Sequence, residues 1–422
     1  MKRILFSLVM VAILLLTACG GKPAATGGKT QLSFMMWGDP AELTVWKQIV
    51  ADYEAANPNI TVSVEVSDWD SYWTKLKTLL AANTPPDMFA IDAPLYLDYQ
   101  SKGVLLNLQP YIDKNPGMLD GLYPQTLQAY QTPQGYFGLP RDFQTIVLFY
   151  NKAMFDKAGM AYPTADWTWD DLRAAAKRLT IVGSDGKTTQ YGFSFDMWDM
   201  EPGYSEAIWS YGGDIINADH TKTLLGEPAA RQAWQLLYDM TFVDKSVPDS
   251  NTSGQYGGDT FLAGVTAMTP MGHWSVPGYA DANLKFDVAP MPKGPAGRVT
   301  SVNSAGFVIA KGTKHPAEAF SFLQFVLSTA GQTRLAELGF ACPVLKSIAE
   351  SPTFLNQKIA INQQVFLDAL QYAHMKPVFK GYDEWASAVG DGMAPVWRGE
   401  ADLNKTLDEI VAAADDVLAK NK

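Results

Sequence analysis

The sequence predicts an α/β fold with two domains, and three observations support this. The chain has 422 residues, more than one hydrophobic core usually serves. Its composition, 47% hydrophobic and 18% charged, is that of a globular protein. Its first ordered stretch reads strand, helix, strand, over Gln31–Trp37, Pro40–Ala56 and Ile60–Val66. Such an opening predicts a parallel sheet with crossover helices.

The next segments continue the alternation of strands and helices. Leucines on one face predict a helix over Tyr72–Asn83, and Met88–Ile91 follows as a short apolar strand. Ile146–Tyr150 is a fully apolar strand. It leads into a helix over Lys152–Ala158 that Gly159 should close.

The segments after Gly159 contain a strong helix-start signal. Thr168 and Asp171 have the spacing of a capping box, which predicts a helix beginning there. Further predicted strands are Tyr191–Phe195, Phe286–Ala289 and Phe307–Ala310. Further predicted helices are Pro202–Tyr211, Ala229–Met240, Pro316–Leu327, Gly331–Leu338, and most of Pro352–Lys420 except Pro377–Gly381.

The stretch Phe261–Trp274 (FLAGVTAMTPMGHW) predicts a loop that carries a ligand contact. It reads as a short helix ending at Gly264, a strand Val265–Met268, a turn at Gly272, and then Trp274. An aromatic residue just beyond the carboxyl end of a strand suits a ligand cleft in an α/β sheet. The same pattern also fits a buried strand followed by a core tryptophan.

The amino terminus has the layout of a secretory signal peptide. Lys2-Arg3 precedes an apolar run, Ile4–Leu16, that is shorter than the roughly 20 residues a membrane-spanning helix needs. We expect residues 1–18 to be removed; an uncleaved anchor is the alternative. Residues 19–30 are rich in Gly, Ala, Lys and Thr, which predicts a flexible tether.

Leu16–Cys19 (LTAC) resembles a bacterial lipobox. This resemblance implies cleavage before Cys19 and a lipid on its thiol. The mature protein would then be anchored to a membrane by lipid and would not span it.

Charge and cysteine content exclude several classes of protein. A net charge of −11 argues against a nucleic-acid partner, which needs a basic surface. With Cys19 lipidated, Cys342 has no partner for an intrachain disulfide, and we expect it to be a small buried hydrophobe. The sequence has no CxxC or CxxH spacing, Walker loop, HExxH or GxSxG motif. We therefore expect no metal site and no cofactor.

Six further motifs occur in order along the chain. They are Trp37-Gly38, Trp69 with Tyr72–Leu76 (YWTKL), Pro85–Met88 (PPDM), Leu139–Phe155 (LPRDFQTIVLFYNKAMF), Trp167–Leu172 (WTWDDL), and Phe261, Gly264, Ala267, Met268 and Gly272 in an F-x-x-G-x-x-A-M-x-x-x-G pattern. Together with the lipobox, this series resembles the extracellular solute-binding protein family 1, the sugar-binding lipoproteins of bacterial ABC importers. The likeness covers essentially the whole chain after the leader.

The resemblance implies a maltose-binding-protein-like architecture of two α/β lobes, joined by hinge crossings around a central ligand cleft. Lobe one would comprise residues 31–144 plus 298–341, and lobe two residues 145–297 plus 342–422. It also implies an extracytoplasmic, lipid-anchored receptor that captures a sugar or oligosaccharide and delivers it to the permease subunits of an ABC transporter. We expect a monomer without enzymatic activity.

Sugar recognition needs aromatic platforms for the apolar ring faces and carboxylates for the hydroxyl groups. The chain places both residue types in loops, several directly after predicted strands. The residues expected to contact ligand are Asp39, Trp69, Asp70, Asp92, Asp142, Trp198, Trp209, Trp274, Ser304 and Gly306, with Tyr382 and Trp385 implied by the resemblance.

For some of these residues the sequence leaves a structural role open. Asp39 and Asp92 each follow a strand, so either could cap the next helix. Asp142 could form an ion pair with the adjacent Arg141. Trp209 could be a core residue on its helix.

Two other functions fit parts of the sequence. A receptor for glycerol phosphate or another charged solute would use arginines and helix N-termini. Only Arg141 and Arg298 lie near the expected cleft. A secreted glycoside hydrolase would need two carboxyl groups roughly 5–9 Å apart, and nothing in the sequence fixes such a pair. Of the four histidines, His273 is the one beside the expected cleft.

Overall fold

The computed structural model describes residues 28–421. The predicted signal peptide, Cys19 and most of the predicted tether lie outside the described residues. Within the described range, no helix has the length and apolar character needed to cross a membrane.

The larger sheet has five strands and contains the predicted strand–helix–strand opening. Its strand order is Ile60–Ser67, Thr30–Trp37, Met88–Asp92, Ala305–Ile309 and Gly138–Pro140. The first three strands are parallel, and Ala305–Ile309 runs antiparallel to both of its neighbours. The helix Pro40–Ala56 has the predicted bounds and buries Trp46, Ile49 and Tyr53. The α/β prediction is therefore confirmed for this part of the chain.

A second sheet has three strands with Val147–Asn151 at its centre. Met268–Met271 and Phe286–Ala289 pair with it on either side, both antiparallel. Every residue of the central strand is buried, as its unbroken apolar sequence predicts.

A third, small sheet lies where the chain passes between the two larger ones. Its strands are Ala373–Met375, Thr300–Asn303 and Gln144–Thr145. Gln144–Thr145 directly precedes the central strand of the second sheet, and Thr300–Asn303 leads into Ala305–Ile309 of the first. The predicted lobe boundaries near 144 and 297 fall at or beside these strands, and they remain predictions.

The other elements are mostly short. The remaining strands are Gln131–Thr132, Gly135–Tyr136, Ile181–Val182 and Thr188–Gln190. The remaining α-helices are Trp69–Ala81, Tyr96–Ser101, Gln109–Ile112, Pro124–Gln128, Lys152–Ala158, Trp169–Leu179, Ser205–Ser210, Pro228–Tyr238, Ser250–Gln255, Val276–Asp281, Pro316–Leu327, Thr329–Glu337, Lys346–Ala349, Pro352–Leu355, Gln364–Asp368, Tyr382–Trp397 and Leu403–Lys420. Short 3₁₀ segments are Ala93–Leu95, His273–Ser275 and Ala369–Tyr372, and π-type turns occur at Met200–Tyr204 and Asp239–Val243.

Two local signals in the sequence are confirmed in detail. Gly159 closes the helix Lys152–Ala158 in a left-handed conformation, with φ of 60°. Thr168 and Asp171 form a reciprocal capping box at the start of Trp169–Leu179.

The interpretation of Phe261–Trp274 needs a correction. Phe261–Gly264 is a turn rather than a helix, and the strand is Met268–Met271, three residues later than predicted. Pairing with Val147–Asn151 decides the position, because it begins at Met268 opposite Tyr150. Phe261 itself is a core residue, with its ring centroid 4.9 Å from that of Tyr279.

Three other predicted elements are wrong in extent. Only Tyr191 of the predicted strand Tyr191–Phe195 pairs, in a single bridge to Thr266. The predicted helix Pro202–Tyr211 begins at Ser205, because Gly203 packs against the carbonyl of Asp196 in a non-helical conformation. The carboxyl-terminal region contains the strand Ala373–Met375, which the small sheet recruits.

Candidate ligand-binding site

Two connected cavities lie between the larger sheet and the second sheet. The first chamber, of about 330 Å³, reaches from Trp37 and Asp92 on one side to Glu201 and Trp274 on the other. The second chamber, of about 750 Å³, extends to Trp198 and the helix Tyr382–Trp397. The two chambers share the residues Trp69, Asp92, Asp196, Asp199 and Lys376, and we call them together the cleft.

The cleft lies at the ends of strands of the larger sheet. Trp37 and Asp92 are the last residues of the parallel strands Thr30–Trp37 and Met88–Asp92. Both side chains therefore lie at the carboxyl edge of the sheet, where ligands bind in open α/β sheets. The side chains of Gln144 and Asn303, from the small sheet, complete the floor of the first chamber.

On one side, three tryptophans form what we call the tryptophan wall: Trp37, Trp69 and Trp73. Trp37 and Trp73 are stacked with ring centroids 5.5 Å apart. Trp69 meets their edges at 5.1 and 5.3 Å. Trp69 itself is 43% exposed, which leaves a face of its ring free for the apolar face of a sugar.

Trp274 faces the first chamber from the opposite side. It follows Met268–Met271 in a short helical turn, and its ring packs directly on Gly272. A β-carbon at position 272 would overlap the indole ring, so this position requires glycine for close approach. The loop is fixed from beneath: the backbone N–H of His273 donates to Gln144 Oε1 at 3.1 Å.

His273 supports this loop and does not enter the cleft. It is fully buried, with Nε2 and Gln363 Oε1 hydrogen-bonded at 2.8 Å. Burial lowers its pKa to about 4, so the imidazole is neutral at physiological pH.

The second side of the cleft is a loop that we call the acidic wall: Asp196, Trp198, Asp199 and Glu201. Asp196 Oδ1 accepts the backbone N–H groups of Trp198 and Asp199 at 2.8 and 3.2 Å, which fixes the turn. Trp198 is 49% exposed and lines the second chamber. Burial, aided by the charge of Asp199, raises the pKa of Asp196 to about 6.

Lys376 balances part of this negative charge. Its Nζ lies 3.5 Å from Asp199 Oδ2, and the side chain is almost completely buried. Burial alone would lower the pKa of Lys376, but the surrounding negative charges, including those of Asp199, Asp92 and Glu201, outweigh that effect and raise it. Lys376 is therefore a permanent cation at the junction of the two chambers.

Arg141 and Asp142 form the ion pair that the sequence left open as an alternative, and both also line the first chamber. Arg141 Nε lies 2.9 Å from Asp142 Oδ2, although the two groups are not aligned for a hydrogen bond. The guanidinium is held over the rings of Trp37, Trp46, Phe307 and Phe340 at 5.3 to 5.5 Å. Burial raises the pKa of Asp142, with Arg141 opposing.

Most of the sequence-predicted site residues lie on the cleft. They are Trp69, Asp70, Asp92, Asp142, Trp198, Trp274, Tyr382 and Trp385. Asp92 Oδ1 accepts a hydrogen bond from Asn303 Nδ2 at 2.7 Å, and its side chain does not cap the next helix. Trp385 reaches the cleft only in part, since it is fully buried and donates its indole N–H to Thr223 Oγ1 at 2.9 Å.

Two predicted contacts lie away from the cleft. Asp39 is the N-cap of Pro40–Ala56, where its Oδ1 accepts the backbone N–H of Glu42 at 2.8 Å. Trp209 is 4% exposed, with its indole N–H bonded to Asp214 Oδ1 at 2.9 Å. It lines a separate groove beside His374.

Ser304 and Gly306 also face away from the first chamber. Neighbouring residues in an extended segment point to opposite faces. Asn303 and Ala305 therefore face the first chamber. Ser304 turns inward and donates to the carbonyl of Asp142 at 2.7 Å, and Gly306 lies against the ring of Tyr130.

The structure adds residues that the sequence did not single out as contacts. They are Trp37, Glu42, Arg141, Gln144, Asp196, Asp199, Glu201, Phe340 and Lys376. Trp37 ends a predicted strand, which is a signal that could have found it. Lys376 has no such local signal, because long-range packing alone brings it to the acidic wall. Among residues 28–421, no group of three or more His, Cys, Asp or Glu side chains is arranged to hold a metal ion.

An α/β fold with two sheets on either side of an aromatic and acidic cleft defines a solute-binding protein. The chain belongs to the bacterial extracellular solute-binding protein family, whose model matches residues 37–333. A relative from Brucella abortus (strain 2308) is 28% identical over 89% of this chain and 90% of its own length.

Solved structures confirm the predicted two-lobed fold. An ABC substrate-binding protein of Listeria monocytogenes, in complex with cycloalternan, is 27% identical. It superposes with a TM-score of 0.85 over 93% of this chain and 99% of its own.

A second relative by sequence is the maltotriose-binding protein of Pyrococcus abyssi (strain GE5 / Orsay). It is 23% identical over 88% of this chain and 75% of its own length.

Proposed function

We propose that this chain is the extracytoplasmic substrate-binding component of an ABC importer and captures a sugar or oligosaccharide between its lobes. One observation carries the proposal: tryptophan side chains line one cleft from both sides, together with buried carboxyl groups. Trp69 lies on one side, and Trp198 and Trp274 lie on the other. Such a cleft matches a ligand with apolar ring faces and a polar hydroxyl edge.

The division of the cleft suggests how the ligand would be held. The first chamber would enclose one end of the sugar, with Trp274 against a ring and Asp92, Asp142 and Glu201 as hydrogen-bond acceptors. The more open second chamber, with Trp198 and Tyr382, would receive further rings. A single sugar ring and a short oligosaccharide are thus both compatible with the cleft.

The relatives support this choice of ligand. The Listeria monocytogenes protein was solved with cycloalternan, and the Pyrococcus abyssi relative is a maltotriose-binding protein. We propose a related carbohydrate ligand for this chain, delivered to membrane permease subunits. We further propose a monomer that is held at the outer face of the cell membrane by a lipid on Cys19, and that does not cleave its ligand.

The charge of the cleft disfavours the anionic alternative. A glycerol phosphate receptor would present cations to the phosphate, whereas carboxylates outnumber cations in the first chamber. Arg298, the other arginine considered, is bonded to the backbone carbonyl oxygens of Met291 and Ala165.

A thermal-shift screen tests the proposed function. The purified chain is heated with neutral mono- and oligosaccharides and, in parallel, with glycerol phosphate, because a ligand that binds the folded state raises the melting temperature. We expect a shift with at least one carbohydrate and none with glycerol phosphate. Chromatography of the sugar after incubation checks for hydrolysis. A shift with glycerol phosphate alone, or a cleaved product, would contradict the proposal.

A further inference from the structure

The wall of the first chamber has more carboxyl groups than cations. In the described part of the chain, its wall has six carboxylates and two cations: Glu42, Asp92, Asp142, Asp196, Asp199 and Glu201 against Arg141 and Lys376. Both cations are already engaged, because Arg141 lies 2.9 Å from Asp142 and Lys376 lies 3.5 Å from Asp199. The other four carboxylates form no ion pair with a described residue.

Two of those four carboxyl groups accept hydrogen bonds from neutral donors. Asp196 accepts two backbone N–H groups of its own turn. Asp92 accepts the side-chain amide of Asn303 at 2.7 Å. These two carboxyl groups therefore already have hydrogen-bond partners within the chain.

Glu42 and Glu201 are different. Oε2 of each is buried without a hydrogen-bond partner, and both side chains line the first chamber. They approach it from opposite sides, Glu42 from the first turn of Pro40–Ala56 and Glu201 from the acidic wall. Burial raises the pKa of Glu42 to about 8 and that of Glu201 well above its ordinary value. A buried carboxylate without a partner is costly unless a cation or a proton reaches it.

We propose that the captured sugar carries a protonated amino group, so that the ligand is an amino sugar or an oligosaccharide that contains one. This rests on the proposed carbohydrate function and narrows it. An ammonium would bring three donors and a positive charge beside Glu42 and Glu201, which would favour their ionised form and release their protons to solvent. A hydroxyl brings one donor and no charge, and a sugar phosphate would place its negative charge among the six carboxyl groups.

Matched sugars test this by isothermal titration calorimetry at pH 7. Glucosamine, galactosamine and mannosamine are each compared with the parent hexose and the N-acetyl derivative, and β-1,4-linked diglucosamine is compared with cellobiose. We expect at least one free amine to bind about tenfold or more tightly than its neutral partners, as for a charge-assisted hydrogen bond.

The possible outcomes separate this inference from the proposed function. If a parent or N-acetyl sugar binds as tightly as its amine, or if only another neutral sugar from the thermal screen binds, the inference is overturned and the sugar receptor stands. If no carbohydrate of any kind binds, both the amino-sugar inference and the proposed function as a sugar receptor are contradicted.

Two neutral variants test the assignment to particular residues. Glu201→Gln and Glu42→Gln keep the side-chain shape and remove the ionisable carboxyl group. Each should weaken the amino sugar several-fold more than it weakens the parent sugar, so that the affinity ratio approaches one. Glu400→Gln, at an exposed surface pair with Arg398, makes the same chemical change away from the cleft and should keep the ratio. A ratio unchanged in both cleft variants would refute the assignment; either variant alone suffices should the other fail to fold.

Discussion

The two sides of the cleft are held in place by different forces. The tryptophan wall is apolar: Trp37, Trp69 and Trp73 fix one another by ring contacts at 5.1 to 5.5 Å. The acidic wall is a loop in which burial disfavours the charges of Asp196 and Glu201, and Lys376 offsets part of that cost. The first wall should therefore tolerate changes of pH, whereas the second should depend on one cation and on the protonation of its carboxyls.

The largest effect should follow Lys376→Met. This change leaves the buried Asp92 and Glu201, and the partly exposed Asp199, without their cation. Removing one partner from a buried ion pair typically costs about 3–5 kcal/mol. We expect a loss of stability of that order in chemical denaturation at pH 7. Lowering the pH should recover part of it, because the carboxyl groups can then bind protons.

A matched variant controls for the loss of a lysine. Lys77→Met removes a cation from an exposed pair with Asp383 at the rim of the second chamber. Surface pairs contribute little, so the denaturation midpoint should not change measurably. Equal losses of stability in Lys376→Met and Lys77→Met would contradict the claim that the acidic wall depends on its buried cation.

Trp69→Ala and Trp73→Ala test which tryptophan of the wall contacts the sugar and which one stabilises the fold. Trp69 is 43% exposed, so its loss should reduce sugar affinity by about tenfold to a hundredfold with little loss of stability. Trp73 is 7% exposed, so its loss should instead cost about 3–5 kcal/mol of stability. Calorimetry with the best sugar from the screen and chemical denaturation measure the two quantities. Unchanged affinity in Trp69→Ala would show that its ring is not a platform.

Gly272→Ala should act through Trp274 with a smaller effect. A β-carbon there would displace the indole ring, and the loss of ring contact should weaken sugar binding by about threefold to tenfold. Gly278→Ala is the control, because it lies in the next helix and an added β-carbon meets no atom within 4 Å. Tryptophan fluorescence should change in the first variant and not in the second. Equal affinities would mean that the placement of Trp274 does not depend on Gly272.

The sequence predicted those features that local signals determine. Asp39 and Pro40 set the start of the first long helix, and Asn57-Pro58 sets its end, so its bounds were correct. Trp69 and Trp274 reached the cleft because each follows a strand or opens a helix beside one. In such cases the side chain's surroundings are decided within a few residues along the chain.

The missed features depend on distant parts of the chain. Asn303 and Ser304 differ by one position, and only pairing with Gln144 decides which of them faces the cleft. Lys376 lies next to the small strand Ala373–Met375, which forms only beside Thr300–Asn303. Glu201 directly precedes the predicted helix Pro202–Tyr211, and its extended backbone follows no helical period that would have placed its side chain. The charge pattern of the cleft therefore could not be read before the fold was known.

A separate pH dependence should come from Glu42, the one acid on the tryptophan side whose pKa is raised to about 8, from an ordinary value of 4.5. Because the unfolded chain loses this proton first, the folded state binds more protons between these two values, and stability should fall as pH rises across that window. Glu42→Gln cannot titrate, so its stability should fall less between pH 5 and pH 8 than that of the unmodified protein. Denaturation midpoints at several pH values provide the comparison. Parallel pH profiles would show that Glu42 is ionised in the folded protein across this window, and that burial does not hold its proton.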